Sequence, residues 1–222
     1  MKKIVILTGA GISAESGIAT FRDANGLWEN HDVMEVASPE GWRKDRELVL
    51  EFYNQRRRQL HEVGPNDGHR ALVDLEKNYD VTIVTQNIDD LHERAGSSKI
   101  IHLHGELLKA RSTSNPNLVY DWPGDITKED KCESGSQLRP HIVWFGEGVP
   151  MLEKAAEVVY GSDIVIIVGT SMNVYPAAGL VAYAKPGVPV YYIDPNPNIS
   201  YELTQRPNLE VIKKKGGVGL PE

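Results

Sequence analysis

The stretch K-I-V-I-L-T-G-A-G-I-S-A-E-S-G-I, Lys3 to Ile18, decides the fold. Its first part, Ile4–Thr8, is a short apolar run rich in β-branched residues and without alternation, which reads as a strand buried on both faces. Gly9 and Gly11 follow at once, and Ala14 stands where a third glycine often stands. G-x-G-x-x-A after a strand is the turn that opens a helix and lets backbone N–H groups approach a dinucleotide pyrophosphate. Many strand-to-helix turns contain glycine, so the chemistry must be read from the residues farther along.

Three more runs share the character of the first: Val81–Thr85, Ile164–Gly169 and Val188–Ile193, with a shorter one at Ile100–Leu103. Helical patterns lie between them, from Ala14–Gly17 onward and over Gly68–Lys77, Asp90–Ala95, Met151–Tyr160 and Pro176–Tyr183. The alternation predicts an α/β chain with a Rossmann-like doubly wound parallel sheet. Two stretches interrupt it. Ser38 to Glu62 is helical in composition, with Leu48, Phe52 and Leu60 among many charges. Lys109 to Pro140 is polar, rich in Ser, Asn, Asp, Gly and Pro, and shows little sign of regular structure. Such a length inside a compact domain suggests an inserted module. The expected organisation is one domain over 1–222, with a core of 1–37, 63–108 and 141–222, a small helical insertion at 38–62 and a small irregular insertion at 109–140.

A chain of 222 residues can bury one sizeable core, and a formal charge of −7 gives no support for nucleic acid as partner. Basic runs exist at Arg56–Arg58 and Lys213–Lys215; the bland reading of both is a solvated face. Cys132 is the single cysteine, which excludes an internal disulfide and a four-thiolate metal site. A strand within three residues of Met1 leaves no room for a signal peptide, and no apolar run approaches a membrane span. The expectation is a soluble, cytoplasmic, monomeric protein that uses neither nucleic acid nor membrane.

A nicotinamide dehydrogenase places an acidic residue about twenty positions beyond the glycines to hold ribose hydroxyls. Here T-F-R-D, Thr20 to Asp23, follows the first helix, with Gly26 and Trp28 beyond. Arg22 could neutralise phosphate and Phe21 could cover a ring; a surface arginine beside a core phenylalanine is the plainer alternative. T-Q-N-I-D-D-L-H, Thr85 to His92, lies where the Val81 strand ends, the place where open α/β sheets bind ligands. Gln86, Asn87 and Asp89 can bond a carboxamide and ribose hydroxyls, or Asp89 or Asp90 can cap the next helix. H-L-H-G-E, His102 to Glu106, carries two histidines at i and i+2, which on a strand share a face and raise the question of a metal. Gly105 suits a tight exit that leaves His104 at the sheet's edge, where a neutral imidazole serves as a general base.

At this point the chain resembles the sirtuin family, the NAD-dependent protein-lysine deacylases, of bacterial type. The resemblance is carried by G-A-G-I-S-A-E-S-G-I-A-T-F-R-D, T-Q-N-I-D-D-L-H, H-G-E, V-W-F-G-E (Val143–Glu147), G-T-S (Gly169–Ser171) and D-P-N (Asp194–Asn196), in family order across nearly the whole chain. It implies an NAD loop from Gly9, Ala10, Gly11, Ala14 and Glu15, closed over by Thr20, Phe21, Arg22 and Asp23. It implies that Gln86, Asn87, Ile88 and Asp89 hold the nicotinamide ribose and carboxamide, with Asn87 and Asp89 beside His104 as the catalytic set. Gly169, Thr170 and Ser171 would bind phosphate and adenosine ribose; Asp194, Pro195 and Asn196 would line the adenosine side, and Gly216 would meet adenine. Val143, Trp144, Phe145, Gly146 and Glu147 look like the strand beside which an extended peptide lies, with Asn173, Val174 and Tyr175 completing the clamp. The implied reaction consumes NAD: the acyl oxygen attacks the ribose carbon that bears nicotinamide and expels nicotinamide, His104 takes a proton from the ribose hydroxyl system so that its oxygen attacks the alkylimidate carbon, and water completes release of lysine and O-acyl-ADP-ribose. No redox change or catalytic metal is required.

Within F-Y-N-Q-R-R, Tyr53 and Arg56 stand at i and i+3 on one helical face. The pair resembles the Y-x-x-R of the sirtuin class that accepts succinyl and malonyl lysine, where a guanidinium fork and a phenol suit a carboxylate. An exposed arginine run beside a packed tyrosine is the alternative. Many family members carry two thiolate pairs that bind structural zinc in the insertion before F-G-E. Here Ser112 stands near where the first pair would begin, Cys132 is alone in the second, and no histidine lies between Lys109 and Pro140. Zinc is expected to be absent, with packing by Tyr120 and Trp122 in its place. The competing readings are NAD hydrolysis or ADP-ribosyl transfer in the same pocket, and a non-catalytic NAD sensor. The clamp and Y-x-x-R speak against a pure hydrolase; the set Asn87, Asp89 and His104 speaks against a sensor.

Overall fold

The computed structural model describes residues 1–20, 27–28 and 31–221. In chain order the strands are β1 (Lys3–Thr8), β2 (Leu27–Trp28), β3 (His31–Asp32), β4 (Asp80–Thr85), β5 (Ile100–His102), β6 (Gly105–Ser112), β7 (Val119–Asp121), β8 (Leu138–Ile142), β9 (Ile164–Val168), β10 (Val190–Ile193) and β11 (Leu209–Ile212). The helices are α1 (Ala10–Ala14), α2 (Val33–Val36), α3 (Pro39–Lys44), α4 (Arg46–Glu62), α5 (Asp67–Leu75), α6 (Leu91–Ala95), α7 (Leu152–Tyr160), α8 (Tyr201–Thr204) and α9 (Gly216–Gly219).

Six parallel strands form the main sheet in the order β11-β10-β9-β1-β4-β5, the doubly wound arrangement. The unbroken apolar character of β1 has its reason in two cores. Val5 and Leu7 join Ala155 and Val159 of α7 on one face, while Ile4 and Ile6 join Ile12 and Leu72 on the other. Successive side chains on a strand point to opposite faces, so only a strand covered on both sides needs every position apolar.

The two interruptions of the alternation meet in a single second unit. Helix α3 starts where the Ser38 hydroxyl accepts from Gly41 N, and α4 where Asp45 accepts from Leu48 N, both ordinary side-chain caps. Val49, Phe52, Tyr53 and Leu60 of α4 share one core with Leu107, Ala110 and Leu138 of a three-stranded sheet ordered β7-β6-β8. Tyr120 and Trp122 pack partly buried against it, as the sequence suggests.

The stretch Lys109–Pro140 is therefore more regular than its composition indicates: β6 pairs antiparallel with both β7 and β8. β6 alternates buried and half-exposed positions, β7 is exposed or half-exposed, and β8 carries Arg139 and Pro140 among its buried positions, so polar residues mask the pattern. Two further differences are local. The segment read as a helix over Pro176–Tyr183 is a 3₁₀ helix, Ala177–Tyr183. The sixth strand, β11, is a short sheet edge with Glu210 and Val211 exposed, too polar to read as a core strand. Among the described residues no helix is long and apolar enough to cross a membrane.

Candidate active site

Strands β1 and β9 are neighbours, but the chain leaves β1 toward β4 and leaves β9 toward β10. Loops at their carboxyl ends diverge at such a switch point and open a crevice for ligands. The two loops there are Gly9–Gly11 and Gly169–Ser171. Gly11 N donates to the Gly169 carbonyl at 2.7 Å, and a Cβ on Gly11 would stand 2.7 Å from Gly169 Cα. Gly169 has φ +59°, and its own Cβ would lie 2.3 Å from Ile12 N. Backbone thus packs on backbone, and the glycines serve loop-to-loop contact as well as any ligand. Gly169→Ala is expected to cost about 3 kcal/mol in chemical denaturation, from clash and left-handed strain together. A loss below about 1 kcal/mol would show that the loops can part.

The ends of β4 and β5 supply the polar wall. Gln86 Nε2 donates to Thr170 Oγ1 at 3.0 Å, joining the β4 and β9 loops. Asn87, buried, donates to the Gly9 carbonyl at 3.1 Å and to Ser13 Oγ at 3.0 Å. Ser13 Oγ donates to Asp89 Oδ2 at 2.9 Å, and Asp89 Oδ1 accepts from Leu91 N at 3.1 Å. Asp90 stands at the N-cap of α6 without a side-chain cap bond, and Asp89, one residue earlier, holds the first helical amide instead. Burial raises the Asp89 pKa above the usual carboxylate value, against the lowering pull of these bonds. Ser13 links Asn87 to Asp89, a role the sequence motif alone does not assign it. Ile88, half-buried, takes Leu107 N on its carbonyl at 2.7 Å.

His102 ends β5, and His104 lies just beyond it in the bend before β6. The two rings reach neighbouring carbonyls of the β4 loop: His102 Nδ1 to Asn87 O at 3.2 Å, His104 Nδ1 to Gln86 O at 3.1 Å. A carbonyl only accepts, so each Nδ1 carries a proton. His102 also meets Glu93 at 2.7 Å through Nε2; burial opposes charge there, but the carboxylate prevails and raises its pKa. Both nitrogens of His102 are then donors, which leaves no lone pair for a metal. For His104 the fixed Nδ1–H makes Nε2 the basic nitrogen, and burial lowers its pKa so that the ring is neutral near pH 7. Gly105 next to it needs its left-handed φ of +84°, since a Cβ would stand 2.0 Å from the His141 carbonyl.

The other expected residues are placed as follows. Ala10 is half-buried, Ala14 exposed and Thr20 half-buried; Phe21, Arg22 and Asp23 lie outside the described residues. Glu15 bonds Gly217 N at 2.9 Å, holding the turn that contains buried Gly216 against α1. Asp194 is buried at the end of β10 and accepts from Asn196 N at 2.8 Å, with Pro195 and Asn196 exposed. Thr170 is buried and Ser171 half-buried. Asn173 accepts from Asn198 at 2.6 Å, Val174 is half-buried, and exposed Tyr175 bonds Glu202 at 3.0 Å.

Val143–Glu147 is not a strand. It continues from β8 into a turn with Gly146 at φ +88°. Its amides are committed: Val143 N to His104 O, Trp144 N to Glu147 Oε2, Phe145 N to Ala37 O and Glu147 N to Trp144 O. Trp144 and Glu147 turn inward, where Arg139 binds Glu147 at 2.7 Å and Arg111 binds it at 3.1 Å. Of the side chains in the segment, Phe145 is exposed.

The arginine run does not form one solvated face. Arg57 is fully buried, bonded to Asn54 at 2.9 Å, and burial lowers its pKa to about 10. Arg58 is exposed and pairs with Glu51 and Asp125. Tyr53 is wholly buried, while half-buried Arg56 bonds the Phe52 carbonyl at 2.7 Å. In the small sheet, Cys132 meets Ser112 at 3.2 Å and Ser134 at 3.0 Å, a hydroxyl–thiol cluster. Among the described residues no group of three or more His, Cys, Asp or Glu is placed to hold a metal.

A doubly wound sheet with a glycine turn, an Asn–Ser–Asp chain and a neutral histidine at its switch point defines a nucleotide-binding α/β protein with a base at the site. The Sir2 family model matches residues 9–176, and the chain belongs to that family. An NAD-dependent protein deacylase of Helicobacter pylori strain 26695 is 63% identical over 195 residues, covering 88% of this chain and 85% of that one. A solved Sir2 homolog–NAD complex has a TM-score of 0.88 at 39% identity, covering 99% of this chain and 86% of the other. A Sir2 bound to acetylated peptide has a TM-score of 0.79 at 26% identity, covering 98% and 90%.

Proposed function

We propose that the chain is an NAD-dependent protein-lysine deacylase that removes acetyl groups and, through Tyr53 and Arg56, succinyl and malonyl groups. The observation that carries the reaction is His104. It is a neutral imidazole with Nδ1 pinned to the Gln86 carbonyl at 3.1 Å, on a loop that also presents Asn87 and Asp89 at the switch point. The donor set suits NAD: Gln86, Thr170 and the carboxylate of Asp194 offer ribose partners at the ends of three strands. NAD bound there would supply the electrophilic ribose carbon. Asn87 and Asp89 keep the Gly9 turn and the start of α6 in register, and His104 accepts a hydroxyl proton on Nε2.

The acyl preference rests on the i, i+3 placement of Tyr53 and Arg56 on α4. Arg56 also stacks on Phe52, its guanidinium carbon 3.9 Å from the ring centre. Tyr53 has no exposed surface, so an acyl carboxylate reaches it by displacing what lies over it.

Mass spectrometry of NAD with acetyl and succinyl peptides tests the reading. O-acyl-ADP-ribose supports deacylation; free ADP-ribose without peptide supports hydrolysis; no turnover supports a sensor. Tyr53→Phe with Arg56→Met is expected to lower desuccinylation by about 100-fold, as removal of two charge-assisted bonds would. Deacetylation should fall far less, and equal losses on both substrates would defeat the acyl assignment.

A further inference from the structure

Trp144 lies on the V-W-F-G-E segment, yet its side chain points away from the peptide path. It is 2% exposed, and its indole Nε1 donates to the Tyr53 hydroxyl at 3.0 Å. An indole N–H can only donate, so the phenol oxygen is the acceptor in this pair. A phenolic O–H prefers the plane of its ring, with two in-plane directions. The indole fills one of them, and the Tyr53 proton takes the other.

The indole is itself held on all sides. The Arg139 guanidinium carbon sits 3.3 Å from its ring centre, and the Trp42 ring is 5.7 Å away at a tilt. Arg139 is fixed in turn by Glu147 at 2.7 Å and by the Ile142 carbonyl at 2.9 Å, and Glu147 also takes Trp144 N at 2.8 Å. Turning the Trp144 ring would therefore lose the cation–π contact with Arg139 and the aromatic contact with Trp42 as well as the bond to Tyr53.

We infer that Trp144 is a specificity-determining positioning residue: its indole N–H fixes Tyr53 as a hydrogen-bond donor aimed at the carboxylate of a succinyl or malonyl group. The inference rests on the acyl reading given above. Burial also raises the Tyr53 pKa above its ordinary value, which keeps the proton on the phenol over the working pH range. Arg139 and Glu147 act one step farther back, by holding the indole plane.

The test is kcat/KM for succinyl and acetyl forms of one peptide, measured for wild type, Trp144→Phe, Tyr53→Phe and the double variant. Trp144→Phe lowers both activities, since the segment also borders the peptide. The succinyl-to-acetyl ratio is expected to fall roughly tenfold, the scale of one hydrogen bond to a charged acceptor. In the Tyr53→Phe background the same change should leave the ratio where it is, because there is no hydroxyl left to orient. Should Trp144→Phe melt early, benzothienylalanine at 144 removes the N–H while keeping the bicyclic shape. A wild type that ignores succinyl peptide overturns the acyl reading together with this inference. A wild type that desuccinylates through Tyr53 and Arg56, with Trp144→Phe lowering both substrates in equal proportion, overturns the inference alone.

Discussion

His104→Ala is expected to lower turnover on an acetylated peptide by about 10²- to 10⁴-fold while leaving NAD binding largely intact, the range a positioned general base supplies. The reason lies in where the ring is tied. Its contact with the Gln86 carbonyl, at 3.1 Å, fixes the tautomer and directs Nε2 toward the switch point. The ring does not bridge the Gly9 and Gly169 loops, which are joined directly by backbone and by Gln86 to Thr170. Removing it therefore deletes a base without dismantling the nucleotide crevice. Calorimetric titration with NAD beside peptide turnover separates the two effects. Turnover within about threefold of wild type would remove His104 from the reaction, whatever happened to binding. The same geometry sets a pH limb. The active form is the neutral ring, and burial holds its pKa below the usual 6.5. Activity should persist below pH 6.5 and fall only as pH drops through the depressed value.

All strands of the main sheet but the exposed edge β11, and the turn after β1, are readable from sequence because a strand covered on both faces keeps a continuous apolar run. The switch point is not readable that way. Nothing local in Gly169 announces that it stacks on Gly11; the reason is that β9 lies beside β1, a fact of strand order. The site residues at strand ends were found by position, but their partners were not. Ser13 as the link between Asn87 and Asp89, and Glu15 as the clasp on Gly217, depend on contacts between segments remote in sequence. The small sheet was hidden for a different reason. Its strands mix charged residues, proline and half-exposed positions with the apolar ones, and polar turns lie between them. The family resemblance implies a strand at Val143–Glu147, yet Glu147 turns inward to Arg139 and Arg111 and the segment forms a turn.

Acidification from pH 7 to pH 5 is expected to remove about 4 kcal/mol of folding stability through two histidines buried beneath the site. His69 and His92 are fully buried, with ring centres 4.9 Å apart. Thr8 Oγ1 donates to Thr85 Oγ1 at 2.8 Å, so His92 Nε2 must be the donor to Thr8 at 3.0 Å. Among the described residues its Nδ1 has no hydrogen-bond partner, and neither has Nε2 of His69, whose Nδ1 accepts from Asn66 N. Among the described residues the charged or titratable neighbours that act on the two rings are Arg70, His102 and each other, none of them an anion. Burial, reinforced for His92 by the neighbouring imidazoles and for His69 by Arg70, lowers the pKa of His69 to about 4 and of His92 to about 3. In the unfolded chain both protonate near 6.5, so below that pH the unfolded state binds more protons and stability falls as pH falls. Each ring contributes about 2 kcal/mol of loss by pH 5, against the ~5–15 kcal/mol total of a typical domain. His102 works in the opposite sense: its raised pKa adds stability on the acid side, so the net slope is shallower than the pair alone would give. His92→Gln isolates the effect, since a glutamine amide reaches the Nε2 position, keeps a donor for Thr8 and does not titrate. Urea unfolding at several pH values should show its dependence between pH 7 and 5 flattened by close to one proton. An unchanged slope would mean that His92 is already charged or exposed in the folded protein. Thr85 Oγ1 also accepts Asn87 N at 3.0 Å, so protonating His92 pushes on the loop that carries Asn87 and Asp89. With its folded-state pKa of about 3 the ring stays neutral between pH 7 and 5, so NAD binding should hold across that window while folding stability falls, and should weaken through this contact only at far lower pH.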